Sequence, residues 1–337
     1  MRRATVLLPA VLLLAACSGT AVPAPTDDAG ASAGATTSTS EEPSSADGFP
    51  LTLVNCGFEV TVPAPPRRIV TIKSSTTELA LALGLAERIV GAAFLDGPLD
   101  DSVAEAGAGL PVVSDNVPGA EAVLGLEPDL VLAGWESNLT AEGAGDRETL
   151  ASLGVATYVP PAACRESGPP PRMDFPTLFE HVLEAGRVLG AEEAAEALVA
   201  EQRARLESLE ADSRGLSALW YSSGTTTPYV GAGRGVPQMI LEAAGLENVV
   251  ADVDDSWASV SWEEIASRAP DVIVLVDSDW NSAEKKKRVL AEHPAMRELP
   301  AVEEERYLVV PFPATEAGVR NVEAVATILE QLAAIEP

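Results

Sequence analysis

Basic side chains are scarce in this chain: 22 Lys and Arg stand against 51 Asp and Glu, a formal net charge of −29. Neutralising a nucleic-acid backbone takes clustered cations, so nucleic acid is excluded as a partner. Broad adsorption to anionic lipid is disfavoured on the same ground. Histidine is scarcer still, with His181 and His293 the only two, neither in a ligand-spaced cluster. No metal site is expected from them. A Gly-x-Ser-x-Gly elbow, a zinc-protease His pair and a Walker loop are all missing. The chain therefore reads as a binding protein without a cofactor, not as an enzyme. Aromatic residues make up only 4%, so each Trp and Tyr is informative. Apolar residues are plentiful at 47%, enough for a sizeable core, and 337 residues accommodate two domains.

The first sixteen residues have the layout of an export signal: Arg2 and Arg3, an apolar run from Val6 to Leu14, then small residues. That run is too short to span a bilayer. Leu14-Ala15-Ala16-Cys17 resembles the bacterial lipobox, which implies that Cys17 is acylated and becomes the mature N-terminus. Apart from Cys17 and Val22, residues 17–48 are Ala, Gly, Ser, Thr, Pro and acids, a composition that buries too little to offset backbone entropy. They are expected to form a disordered tether that holds the body at the outer face of the cytoplasmic membrane. The remaining cysteines, Cys56 and Cys164, are expected to form a disulfide, as a leftover pair in an exported protein usually does.

Beyond the tether the hydrophobic pattern alternates between short helices and apolar runs. Leu51 to Val62 alternates around Asn55-Cys56-Gly57 and predicts a hairpin. Strands are predicted at 68–72, 89–93, 129–133 and 155–159, separated by helices, which implies a parallel sheet covered on both faces. A helical pattern follows from about 177 to 211, with a break near Gly190. Strands then recur at 217–221, 272–276 and 306–310. Glu121 to Leu132 and Glu264 to Leu275 share one design: a short helix, a Pro-Asp break and a buried strand. The expected architecture is α/β, with an N-terminal lobe (49–175), a linker helix (176–212) and a C-terminal lobe (213–337), each lobe Rossmann-like.

Several stretches carry a family resemblance: Arg68-Ile-Val-Thr-Ile72 with Ser74-Ser-Thr-Thr-Glu-Leu79, Leu126-Glu-Pro-Asp-Leu-Val-Leu132, and Arg268-Ala-Pro-Asp-Val-Ile-Val274. The chain resembles the solute-binding proteins of iron-siderophore and cobalamin importers over roughly residues 51–335. Ile72 to Glu78, Ala93 to Pro98 and Glu316 to Val322 look like a subgroup associated with F420-0, a deazaflavin-phospholactate precursor. The resemblance implies two lobes joined by a single long rigid helix, a ligand cleft between them, and an ABC permease dimer with its ATPase as partner. A siderophore or cobalamin is the rival ligand, and an extracellular sensor lipoprotein on the same fold is the alternative of a different class. It also implies one docking glutamate per lobe; the helix before each Pro-Asp places these at Glu121 and Glu263, first-turn positions where the helix dipole favours a carboxylate.

A ligand between the lobes would meet the loops that follow the strands. These supply Lys73, Ser74, Ser75, Thr76, Asp96 and Trp135 from the first lobe. The second supplies Tyr221, Ser222, Arg234, Trp257, Trp280 and Arg320. Trp135 and Trp280 each follow a buried strand, which suits a flat heteroaromatic ligand. Lys73, Arg320 and the Arg234 of Gly231-Ala-Gly-Arg-Gly235 are the cations expected to read a phosphate or carboxylate.

Overall fold

The computed structural model describes residues 48–165, 168 and 171–335. The expected export signal, Cys17 and nearly all of the tether lie outside the described residues. Strands β1 (Leu51–Asn55) and β2 (Phe58–Val62) form the predicted antiparallel hairpin, with Leu51 opposite Val62. Its two turn residues, Cys56 and Gly57, both take positive φ (51° and 75°), the backbone that a right-twisted two-residue hairpin needs. Cys56 is disulfide-bonded to Cys164 across a Cα–Cα distance of 5.1 Å, so the expected bridge is present and lies within the first lobe.

The first lobe's sheet comprises β3 (Ile69–Ile72), β4 (Ile89–Ala93), β5 (Val112–Ser114), β6 (Leu130–Ala133) and β7 (Ala156–Tyr158). All are parallel, in the order β5-β4-β3-β6-β7. Every residue of β3 and β6 is buried, as expected for central strands covered by helices on both faces. The chain leaves β3 towards β4 and β5, then crosses back to start β6 on its other side. That reversal is a topological switch point, and it opens a crevice beyond the carboxyl ends of β3 and β6.

The second sheet repeats the device. It contains β8 (Ser217–Ser223), β9 (Tyr229–Gly231), β10 (Glu247–Asn248), β11 (Trp257–Ser259), β12 (Val272–Asp277) and β13 (Tyr307–Pro311). Its order is β11-β9-β8-β12-β13, with β10 paired to β8. Strands β8, β12 and β13 run parallel, whereas β9 and β11 are antiparallel. Here the switch point lies between β8 and β12. Four predicted apolar runs thus end at two switch points, and the loops beyond them build the site.

The linker pattern resolves into two helices, Phe175–Leu189 and Glu192–Glu207, so the single long helix implied by the resemblance is divided. The division falls at Gly190, where the sequence marks a break and the backbone turns left-handed (φ 61°). The two helices pack closely: a Cβ on Gly186 would lie 2.4 Å from that of Ala195. One hydrophobic cluster runs from Ile69 and Leu132 through Phe179 and Val182 of the first linker helix to Trp220 and Leu308. Burying each such side chain contributes about 1.5–3 kcal/mol. The linker is therefore continuous with the core on both sides.

Candidate functional site

A cleft of about 540 Å³ lies between the lobes. The first lobe contributes the residues after β3, β6 and β7, notably Ser75, Trp135 and Pro160; the second contributes the end of β8 and the residues after β12 and β13, notably Ser222, Trp280 and Phe312. Three of the five tryptophans (Trp135, Trp257 and Trp280) line this cleft, while Trp220 and Trp262 are core residues. Trp257 stacks on Tyr229 at 5.6 Å and 14°. Trp280 is 60% exposed and meets Phe312 edge-on at 5.4 Å. Flat apolar faces thus stand on both walls, with serine and threonine hydroxyls between them.

The loop after β3 is drawn tight against the loop after β6. A Cβ on Gly134 would lie 2.6 Å from the Cβ of Lys73, so glycine is required there. Lys73 itself holds φ 86°, a strained backbone for a residue with a side chain. Its neighbours hold it there. The ammonium is ion-paired to Asp96 and stands over the rings of Trp135 (3.8 Å), Phe94 (4.4 Å) and Phe312 (5.0 Å).

Glu316 reaches across from the second lobe into this cluster. Its carboxylate accepts from Ser75 Oγ at 3.0 Å and Trp135 Nε1 at 2.5 Å, with the Lys73 ammonium 3.9 Å away. Burial pushes its pKa up to about 7; Asp96 adds to the rise, while Lys73 and the two hydrogen bonds oppose it. A second cross-lobe tie lies beside it. Arg320 pairs with Glu78 through both carboxylate oxygens and also donates to the Pro98 carbonyl at 2.7 Å.

These ties revise the expected ligand contacts. Lys73 and Arg320 are engaged by carboxylates, and neither they nor Asp96, the partner of Lys73, line the cleft. Arg234 is paired with Asp254 and also stands outside the lining, although its neighbour Gly235 is part of it. Thr76 donates to the Ile72 carbonyl at 2.7 Å, Ser74 accepts from the Asp96 amide at 2.8 Å, and both are buried. Tyr221 is packed on Trp262, with its hydroxyl on the Gly224 carbonyl at 2.7 Å. Each is absorbed by local structure because the turn after its strand needs its polar group. Ser75, Trp135, Ser222, Trp257 and Trp280 remain on the cleft.

Glu136 and Phe312, from the loops after β6 and β13 that were expected at the cleft, line it too, and Glu316, Arg165 and Tyr229 join them without having been among the expected contacts. Glu316 opens the last stretch that carries the resemblance, which was the available signal. Tyr229 opens the three-residue strand β9 and Arg165 sits in an irregular segment, both too short for a periodicity to mark them. Arg165 is the one basic side chain among the described lining residues. Glu121 and Glu263 are exposed in the first turns of the helices Ala120–Leu124 and Trp262–Arg268. Among the described residues no group of His, Cys, Asp and Glu could hold a metal ion, and no helix is long and apolar enough to cross a membrane.

Comparison with known proteins agrees with this architecture. The chain is 25% identical over 293 residues to the uncharacterized ABC transporter substrate-binding lipoprotein YvrC of Bacillus subtilis, covering 84% of this chain and 86% of that one. It is 30% identical over 248 residues to a cobalamin-binding protein of Halobacterium salinarum, covering 67% of this chain and 58% of the halobacterial protein. The crystal structure of an ABC-type Fe3+-hydroxamate transport system from Saccharomonospora viridis superposes with a TM-score of 0.71 at 28% identity, over 84% of this chain and 99% of that one. A model of the family described as periplasmic binding protein matches residues 69–314. With both switch-point sheets and the cleft inside that span, the chain belongs to the periplasmic binding protein family.

Proposed function

We propose that the protein is the extracytoplasmic substrate-binding component of an ABC importer and that it captures a flat, largely aromatic ligand between its lobes. The observation that carries this reading is the cleft itself: Trp135, Trp257, Trp280, Tyr229 and Phe312 gathered at two switch points in a chain with few aromatics. Stacking faces of this kind hold a ring system with little demand on its substituents. The stretches resembling the F420-0 subgroup make a deazaflavin precursor the first candidate. Lys73, Arg234 and Arg320 stand outside the lining, so the phosphorylated tail would be read by Arg165, which lines the cleft and whose pairing with Asp255 is long (3.5 Å) and solvent-exposed. The halobacterial relative makes cobalamin the second candidate.

On this reading Cys17 carries the lipid anchor, and Glu121 and Glu263 meet cationic pockets of the permease, one from each lobe. Two charge-assisted contacts made together would recognise the whole binding protein. The test uses protein carrying Cys17→Ser, which should be released from membranes. Its tryptophan emission is followed during titration with F420-0, cobalamin and a ferric hydroxamate. Saturable binding of F420-0 alone is the expected result; tight cobalamin binding without it moves the assignment to the second candidate. Charge reversal at Glu121 or Glu263 should abolish transport in permease vesicles and leave that affinity unchanged. Loss of binding in those variants would remove the docking role.

A further inference from the structure

The charged groups of the cleft are sorted by depth. Glu316 has a side chain only 13% exposed and is seated against Ser75 and Trp135, whereas the Arg165 side chain is 46% exposed and pairs with Asp255 at 3.5 Å. The cation nearest to Glu316 does not balance it. Lys73 has 1% side-chain exposure, is committed to Asp96 and is shielded by three rings, so the cluster of Lys73, Asp96 and ionised Glu316 carries net negative charge. A second carboxylate, Glu136, also lines the cavity, but it accepts from the Arg165 amide and is not part of this cluster. In the cleft Glu316 shares the lining with Trp257, Trp280, Tyr229 and Phe312, so ring faces and a hydrogen-bond acceptor are offered to a ligand together, an environment that favours cations and N–H donors and penalises anions.

Resting on the reading of the cleft as the ligand site, we infer that Glu316 is its selectivity carboxylate: it receives a hydrogen-bond donor or positive charge on the ligand's buried edge and excludes ligands whose buried edge is anionic. An aromatic ligand with an anionic tail then enters ring first, its N–H edge on Glu316 and its tail at Arg165. Glu316 ionises against burial, so a donor or cation that replaces lost water favours the ionised form, and binding of a cation strengthens as pH rises.

The test needs no natural ligand. Proflavine, a three-ring cation, and 9-anthracenecarboxylate, a three-ring anion, are titrated into the wild-type body at about pH 6 and about pH 8, where neither probe changes charge, with tryptophan emission as the readout. Proflavine should bind at least about tenfold more tightly than the anion, and more tightly at the higher pH. In Glu316→Gln that preference and its pH dependence should both collapse, a pattern that a merely structural role would not produce. The inference is overturned if the anion binds as well as the cation, if neither probe binds, or if Glu316→Gln keeps the wild-type ratio. Because a chain of net charge −29 favours any cation, it is the rise in proflavine affinity between the two pH values that locates the effect at Glu316, and that wild-type measurement stands even if the variant folds poorly. Importer function fails separately: a protein that keeps the cation preference yet never stimulates its permease–ATPase would refute that role alone.

Discussion

Each wall of the cleft conceals a lysine, and the two are held in different ways. Lys73, behind Trp135 on the first wall, has an Asp96 counter-ion, Glu316 nearby and three aromatic rings around its ammonium. Lys286, behind the Trp280 loop on the second wall, is equally buried but donates to backbone carbonyls, those of Val276 and Asn281. Burial pushes its pKa down to about 8, opposed by Asp277 and reinforced by Lys285. On the first wall the lysine itself is compensated, by Asp96, across the loops after β3 and β4. The second is a clamp: one ammonium ties the end of β12 to the loop that presents Trp280. The first wall is also stapled by the Cys56–Cys164 disulfide, and no second bridge is available to the other.

The largest effect should come from that staple. The bridge closes a loop of 108 residues, which the chain-entropy model values at about 4–5 kcal/mol. Reduction should lower the melting temperature seen in calorimetry, and hydrogen exchange should rise in the first lobe before the second. A single unshifted transition would remove the asymmetry between the walls. Next is Lys73→Met. It strands Asp96 without its partner, and breaking a buried ion pair costs about 3–5 kcal/mol. Urea unfolding should show that loss, and adding Asp96→Asn should recover part of it. A loss below about 1 kcal/mol would mean the pair is not compensating a buried charge.

How far the sequence carried these contrasts depended on periodicity. Strands β3, β4, β6, β8 and β12 are short, mostly apolar runs, and the linker break was visible as a glycine inside a helical repeat. The helix Ala283–Glu292 was not predicted. It buries Ala283, Lys286 and Leu290 on one face, so a lysine occupies the place where an apolar residue would have announced the repeat. Strand β5 was hidden differently: its two valines are exposed on a short sheet edge. At the site, tryptophans after buried strands were informative because a large ring at a strand's end faces the crevice. The cations misled. Sequence shows that Lys73 and Arg320 sit near the cleft but not that Asp96 and Glu78, distant along the chain, already neutralise them.

The smallest effects expected are opposite pH slopes from the two walls, and they test the comparison most directly. Lys286 has a folded-state pKa of about 8 against an ordinary value of 10.5. Between those values the unfolded chain holds a proton that the folded chain has released, so this group makes stability rise with pH. Glu316, at about 7 against 4.5, behaves in reverse. Across that lower window the folded chain holds the extra proton, and stability falls as pH rises. Melting temperatures recorded from about pH 4.5 to about pH 10.5 for wild type, Lys286→Met and Glu316→Gln should separate the two, each variant losing one slope and keeping the other. Trp135 offers a local check, since its indole N–H donates to Glu316. Its emission should shift with a midpoint near 7 in the wild type and not in Glu316→Gln. If both variants follow the wild-type curve throughout, the lysine and the glutamate share the same environment after all, and the distinction between a compensated wall and a clamped one is lost.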